Sequence, residues 1–599
     1  MTGRSHEVVT EAVLKSLRSP RDLEGLSVTQ LEMLADEVRQ ALIKSVTTTG
    51  GHLGSNLGFV EATIALHRVF DVPTDKLVFD VSHQSYTHKM LTGRADAYTD
   101  PAHYGDVSGF TDPAESPYDF FRTGHTSTSI SLACGLAKAR DLAGESHNVI
   151  AVIGDGSLSG GEAFEGLDNA ATLSSNLIVI LNDNEMSIAT NVGGIYGGLS
   201  ELRASGGTSE HNIFRDMGLD YVYVEEGNDV AALVEAFERV RDIDHPVVVH
   251  IHTLKGKGLA WAEQNKEASH SVSPEGAHHP QEELRVITRE FMLAKMAADS
   301  SVVVVNAATP GGTGLSPEFR VEAGDQFVDV GICEQHAISF AAGLARGGAK
   351  PVFFVASTFL QRGYDQLVQD LALNRSPVVV LVWEAGFSAL DATHVGVFDV
   401  GFTGNIPGLL CLSPATKGQY LAMLDWAIEQ TKTPVVIRVP HKLLPGISRK
   451  KTINEKNVTQ FEVSHAGSRV ALIGLGPYAD LMEDVARELR NTLGVDPTTI
   501  CAPCYSELDV TTLDALEEQH DLVVTFENGV LYGGFGEKVA RYYGPRTMRT
   551  LCYGGIKEFL DRVPADKIRE RYHLEPPAIV SDIARELGID TSEGHFISE

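Results

Sequence analysis

The chain has 599 residues, 43% of them hydrophobic, so roughly two to four separate cores are expected rather than one. Acidic residues outnumber basic ones 80 to 49, for a formal charge of −31. That balance excludes a nucleic-acid backbone or the anionic face of a membrane as a natural partner, and an anionic substrate would need a locally basic pocket.

The opening MTGRSHEVVTEAVLKSL reads as polar chain entering a helix, without the continuous apolar core of a signal peptide. No apolar run reaches the ~20 residues that cross a bilayer. The six cysteines, Cys134, Cys333, Cys411, Cys501, Cys504 and Cys552, are sparse and mostly in apolar surroundings, which fits a reducing compartment; a cytoplasmic protein is expected. Cys501 and Cys504 form one CxxC with no second pair nearby, so redox or zinc chemistry is not expected there.

Short β-branched runs alternate with helical stretches along three segments, the pattern of α/β domains with parallel sheets. The first segment offers the buried strands NVIAVIGDG, NLIVILNDN and PVVVHIHTL, and the second SVVVVNAA, PVFFVAS, PVVVLVWEAG and PVVIRVP. The third offers RVALIGLG and DLVVTFENG, followed by a helical tail. The polar stretch from Gln264 to about Glu283 reads as a boundary, and LLPGISRKKTINEKN as a second break. Domains are expected at 1–283, 284–448 and 449–599.

The most specific pattern starts at Gly154: GDGSLSGGEAFEGLDNAATLSSNLIVILNDNEMSI. A buried strand ends at Ile153, a Gly-Asp-Gly turn opens a helix, and a second strand delivers Asn182, Asp183 and Asn184. Parallel strands joined by a helix bring both carboxyl ends to one sheet edge, where ligands of such folds bind. Asp155 and Asn184 would meet there as a carboxylate and an amide oxygen, hard ligands suited to Mg²⁺ that keeps phosphate in its shell. The glycines admit close approach of phosphates, and the helix start adds oriented N–H groups. A bare GDG is also an ordinary strand-to-helix turn with Asp155 as N-cap. The following helix, strand and NDN set it apart.

This arrangement resembles the GDG…N motif of thiamine-diphosphate enzymes, in which the backbone carbonyl at Met186 would complete the metal shell. Such chemistry needs a carboxylate shielded from water that shares a proton with the aminopyrimidine ring, and desolvation raises the pKa of such a group. Glu334 is the candidate, in FVDVGICEQHAISFAAGLA, where a strand-like run turns into an apolar helix. Taken alone it would read as an acidic residue in a helix's first turn. Phe359, in STFLQRGYDQ, could stack on the pyrimidine.

From end to end the chain resembles the 1-deoxy-D-xylulose-5-phosphate synthase family, relatives of transketolase. The likeness is carried by GGHLGSNLG, DVSHQSYTHKMLTGR, GHTSTSIS, VIAVIGDG, NDNEMSI, DVGICEQHAISFAAGLA, STFLQRGYDQ and ENGVLYGGFG. It implies three doubly wound α/β domains of transketolase type: one gripping the diphosphate, one the aminopyrimidine, and a C-terminal one supporting a homodimer. It implies thiamine diphosphate and Mg²⁺ as cofactors, and decarboxylation of pyruvate with transfer of its two-carbon unit to an aldehyde. His83, Gly124, His125, Thr126, Gly156 and Ser157 would surround the cofactor with Asn184, Glu334 and Phe359. His52 and His270 match the histidines that handle protons on bound donor and product, and Arg362 and His394 match the donor pocket, where a cation would hold the pyruvate carboxylate.

The acceptor side departs from the family. WEAGFSALDATH stands where the family has Asp-Arg-Ala-Gly, so Glu384 replaces an arginine that would hold the acceptor's phosphate. The segment is one residue short before Thr393-His394, leaving Asp391 in the place of the family's aspartate. Val439-Pro440-His441-Lys442 replaces Tyr-Pro-Arg-Gly, Ala356 a tyrosine, Leu259 a tyrosine near the cofactor, and Asn228 a histidine. A carboxylate facing a dianion is unfavourable, so the acceptor is expected to differ from glyceraldehyde 3-phosphate, either lacking the phosphate or carrying an amine. In the other reading Glu384 turns away while His441 and Lys442 restore the charge. A transketolase-like ketol transferase and a non-catalytic cofactor-binding paralogue remain the alternatives for the chain as a whole.

Overall fold

The structure is a computed structural model that describes residues 12–274, 281–387, 391–439, 442, 444 and 452–589. His441 therefore lies outside the described residues. The chain forms two compact units, residues 1–277 with 331–333 and residues 278–330 with 334–599.

The first unit is built on strands β1 (Lys76–Phe79), β2 (Val149–Gly154), β3 (Leu177–Asp183), β4 (Asp220–Val224) and β5 (Pro246–His252). They run in the order β1-β2-β3-β5-β4, every neighbouring pair parallel. β2 and β3 are buried along almost their whole length, as apolar runs covered by helices on both faces must be. The register pairs Gly154 with Asn182, so the turns after β2 and β3 leave the sheet side by side.

The second unit holds two sheets. One contains β6 (Val302–Asn306), β7 (Phe327–Asp329), β8 (Lys350–Ala356), β9 (Val379–Trp383), β10 (Leu410–Leu412) and β11 (Val435–Arg438), ordered β10-β11-β9-β8-β6-β7 and parallel throughout. The other contains β12 (Glu462–His465), β13 (Arg469–Leu475), β14 (Thr498–Ala502), β15 (His520–Val530) and β16 (Arg549–Gly555), ordered β12-β14-β13-β15-β16. Its edge strand β12 runs antiparallel to β14, so the third sheet is mixed where a parallel one was expected. The stretch expected as a helical tail holds helix Phe535–Tyr543, then β16, and only afterwards helices Ala565–Arg571 and Pro576–Leu587.

The polar stretch after Gln264 is no open tether where it is described. Val272 pairs with Gly51 through two backbone hydrogen bonds of 2.8 and 2.9 Å, which folds residues 265–274 back onto the first unit. Helix Glu282–Ala298 begins inside the remainder.

Candidate active site

The carboxyl edge of the first sheet separates the three residues of NDN by what each already holds. Asn182 Oδ1 accepts the Thr253 hydroxyl at 2.6 Å. Asp183 accepts the Glu185 amide at 3.1 Å and His250 Nε2 at 2.9 Å, and is paired with Arg203. Because Nε2 of His250 donates to Asp183, its Nδ1 takes the hydroxyl of Tyr221 at 2.8 Å. Asn184 Oδ1, by contrast, is buried without a hydrogen-bond partner, a state that buried amide oxygens rarely occupy.

Asp155 opens the turn after β2, is 1% exposed, and accepts Asn191 Nδ2 at 2.6 Å. Burial, and then the charge of Asp183, push Asp155 above the usual carboxylate range, where a cation would favour its ionised form. Asp183 goes the other way: against its burial, His250 and Arg203 keep it ionised. Among the described residues no three His, Cys, Asp or Glu side chains form a metal cluster. One carboxylate and one amide oxygen without a partner among the described residues suit Mg²⁺ completing its shell from a diphosphate.

The cradle around them is tight. A Cβ on Gly156 would lie 2.7 Å from Ser187 Cβ and 2.9 Å from its Cα, so only glycine admits that approach. Asp80, 1% exposed at the end of β1, accepts the amides of Ser127 at 2.8 Å and Ser129 at 3.0 Å, which fixes the turn that follows Gly124, His125 and Thr126. Ser127, at φ 74°, donates its hydroxyl to the Ser157 carbonyl at 2.7 Å.

Three histidines from distant parts of the sequence meet in this unit. The ring centroids of His52 and His83 are 5.0 Å apart, His52 and His270 5.5 Å, and His83 and His270 5.3 Å. Asn56 Nδ2 ties the carbonyls of His52 and His83, each at 2.7 Å. His270 Nδ1 lies 3.3 Å from the Ser55 hydroxyl. Burial, then Lys255, His83 and His52, hold His270 well below the usual histidine range, so its imidazole is neutral.

In the second unit Glu334 opens helix Glu334–Arg346, is 3% exposed, and its Oε2 has no hydrogen-bond partner. Burial raises its pKa; Arg362, whose Nη1 is 3.7 Å away, pulls in the opposite direction. Arg362 is brought there by the close packing of Gly363, where a Cβ would lie 2.1 Å from Ile338 Cδ1 on the Glu334 helix. Phe359 sits edge-on to His394 at 5.6 Å. His394 Nδ1 is 2.7 Å from the Thr393 hydroxyl, which donates to Asp391 Oδ1 at 2.6 Å. Glu334 with Arg362, and Phe359 with His394 and Asp391, thus lie in one unit, as the Asp155–Asn184 edge and the cluster of three histidines do in the other.

The family profile described as 1-deoxy-D-xylulose-5-phosphate synthase matches residues 14–212 and 205–253. Those of the transketolase pyrimidine-binding and C-terminal domains match residues 281–446 and 459–579. Among similar curated proteins, the 1-deoxy-D-xylulose-5-phosphate synthase of Symbiobacterium thermophilum is 39% identical, with 94% of each chain covered. That of Syntrophomonas wolfei is 37% identical over 96% of this chain and 97% of its own, and that of Natranaerobius thermophilus 39% identical over 96% and 98%. This chain belongs to the 1-deoxy-D-xylulose-5-phosphate synthase family. It is a thiamine-diphosphate-dependent transferase with transketolase-type α/β domains, and it acts on small molecules. Among the described residues no helix is long and apolar enough to cross a membrane.

Against the 1-deoxy-D-xylulose-5-phosphate synthase pattern, the departures among the described residues now have a place. Glu384 leaves β9 in the left-handed region at φ 53°, and its charge acts on Arg285, in the first turn of helix Glu282–Ala298. Arg285 Nη2 donates to the Gly312 carbonyl at 2.7 Å, which anchors it. Lys442, expected by the other reading to restore positive charge, is an exposed side chain 3.3 Å from Asp480. Ala356, 5% exposed, ends β8 opposite Trp383. Asn228 braces the first unit through Gly58, Glu61 and Leu254, while Leu259 packs against an apolar cluster.

Two residues escaped the sequence reading. Lys255, 1% exposed, donates to the Ser187 carbonyl at 2.6 Å, and burial pulls its pKa down to about 8. The signal was TLKGKG directly after a strand on the ligand edge. Asp80 was legible only as an acid between a strand and His83. Of the CxxC, Cys504 is buried and burial pushes Cys501 to about 12, the opposite of a reactive thiolate.

Proposed function

We propose that this enzyme decarboxylates pyruvate and transfers the two-carbon unit to an aldehyde that carries no phosphate. The observation that carries the acceptor reading is the setting of Glu384. The position of the family's phosphate-binding arginine holds a carboxylate whose charge, with that of Glu282, acts on Arg285, while Lys442 is drawn to Asp480. A phosphate there would have to compete with Glu384 for Arg285, and like charges in one subsite disfavour such a ligand.

Asp155, Asn184 and the Met186 carbonyl would hold Mg²⁺, with Gly156, Ser157, Gly124, His125, Thr126 and His83 around the diphosphate and Phe359 against the pyrimidine. Thiamine diphosphate, when bound, supplies the electron sink for losing CO₂ from a 2-keto acid and forming a carbon–carbon bond. Glu334 holds a proton at its desolvated carboxyl and shares it with the ring. Arg362 offers a cation to the pyruvate carboxylate. His52 and the neutral His270 accept and return protons on the reacting oxygens, and His394 with Asp391 faces the aldehyde. We also assign the enzyme to the cytoplasm as a homodimer. The six free thiols support a reducing compartment, and sedimentation checks the dimer.

The test is purified enzyme with labelled pyruvate and paired aldehydes: glyceraldehyde 3-phosphate against glyceraldehyde and an amino aldehyde. CO₂ release from pyruvate, with kcat/KM for an unphosphorylated aldehyde at least about tenfold higher, is expected. Preference for the phosphorylated aldehyde would sink the acceptor reading, and absence of CO₂ release would favour ketol transfer from a sugar donor.

A further inference from the structure

The loop between β9 and helix Asp399–Thr403 carries Glu384, Asp391 and His394; Ala385 stays in the core of the sheet that launches it, with Val380 and Val382, while Phe387, Val395 and Val397 pack against the third sheet. Val395 and Val397, each 2% exposed, belong to the same core cluster as Val470, Phe526 and Ile579 of the third sheet and its helices. The Phe387 ring stands 5.5 Å from Tyr572 and 6.3 Å from Tyr478, and its edge lies 3.1 Å from where Gly555 would bear a Cβ. Val530, ending β15, donates its amide to the Val397 carbonyl at 3.0 Å.

The tightest contact is at Gly386. At φ 77°, a Cβ there would lie 2.3 Å from Asn528 Nδ2 and 2.7 Å from the Asn528 carbonyl. Asn528, on β15, is itself fixed. Its Oδ1 accepts Arg438 Nη1 at 2.7 Å, and Arg438 forms a two-point pair with Asp399 at 2.6 and 3.0 Å. Asp399, Arg438 and Asn528 are all buried. The Gly386 amide donates to the Gly396 carbonyl at 2.7 Å and closes the loop on itself. A buried network built on a two-point ion pair holds one geometry firmly, and Glu384 is two residues from its contact point.

We propose that Asn528 is a positioning residue for the acceptor: by fixing the backbone at Gly386 it sets where Glu384 points, so the third domain tunes aldehyde selection. This rests on the reading that the acceptor meets the Glu384 loop. The test compares Asn528→Ala with the parent holoenzyme, using whichever aldehyde the parent turns over best, so a wrong guess about phosphate leaves the comparison intact. The expected result is an aldehyde KM raised about tenfold or more, as for a reacting group displaced by a fraction of an ångström, with thiamine diphosphate affinity and CO₂ release from pyruvate alone unchanged. An unchanged aldehyde KM overturns the proposal, as does an equal loss in the pyruvate-only reaction. Should Asn528→Ala lose cofactor binding altogether, Phe387→Leu, which loosens the same loop from Tyr572, is read by the same criteria.

Discussion

The ligand edge of the first unit and the acceptor loop of the second are built on opposite principles. At the first edge the groups come from adjacent parallel strands in register and the polar atoms of Asn182 and Asp183 are assigned locally, while Asn184 Oδ1 has no hydrogen-bond partner among the described residues. The acceptor loop leaves its strand through a left-handed glutamate and takes its shape from another domain's core. A site assembled from neighbouring strand ends can change little without losing its metal. A loop held from outside can change its charge and length while the catalytic groups stay where they are, which is the pattern of the family departures in this chain.

The largest expected effect tests the proposed catalytic carboxylate. Glu334→Gln keeps shape and neutrality but cannot pass a proton, so kcat should fall by about 10²–10⁴-fold with cofactor affinity nearly unchanged. A loss confined to affinity would make Glu334 a packing residue. Next comes Lys255→Met. Lys255 holds the carbonyl of Ser187, beside the proposed Met186 ligand, and the loss of such an outer partner should weaken Mg²⁺ binding by roughly 10–100-fold. It is read by Mg²⁺ titration of thiamine diphosphate binding. Unchanged Mg²⁺ affinity would mean that the metal loop is not held as rigidly as the contrast with the acceptor loop requires.

Legibility in the sequence followed the same division. The places of Asp155, Asn184 and Glu334 at element ends were readable because strand, turn and helix each leave a periodic trace. β7 and β10 were not, because three residues carry no period, and β12 was not, because an edge strand reading Glu-Val-Ser-His lacks an apolar run. β16 was hidden in RTLCYGG, where two glycines interrupt the pattern. Substitution at Glu384 was visible, but its partner Arg285 was not, since nothing in the spacing of 99 residues (384 minus 285) joins a helix start to a strand end. Asn528 was hidden for the same reason: close approach of two backbones is a property of packing.

The smallest expected effect concerns Glu527, beside Asn528 in the third domain. Its buried carboxylate accepts the amides of Phe535 at 3.0 Å and Gly536 at 2.8 Å, and burial still pushes its pKa up to about 7. An unfolded glutamate loses its proton near pH 4.3, so between that pH and about 7 the folded chain binds the extra proton. Stability from this group is therefore present in full below the window and lost as pH rises through it. Each pH unit of the window is worth at most about 1.4 kcal/mol; the two amides, which favour the ionised form, already narrow the window. Glu527→Gln removes the titration. Its Tm relative to the parent should rise by roughly 2–4 °C from pH 5 to pH 7.5, while a difference that stays flat with pH would mean that Glu527 is ionised throughout. Because Glu527 is the chain neighbour of Asn528, Glu527→Gln should also flatten the part of the aldehyde KM's pH dependence that arises here, while leaving the pH profile of CO₂ release from pyruvate alone as in the parent, the behaviour of a loop held from outside.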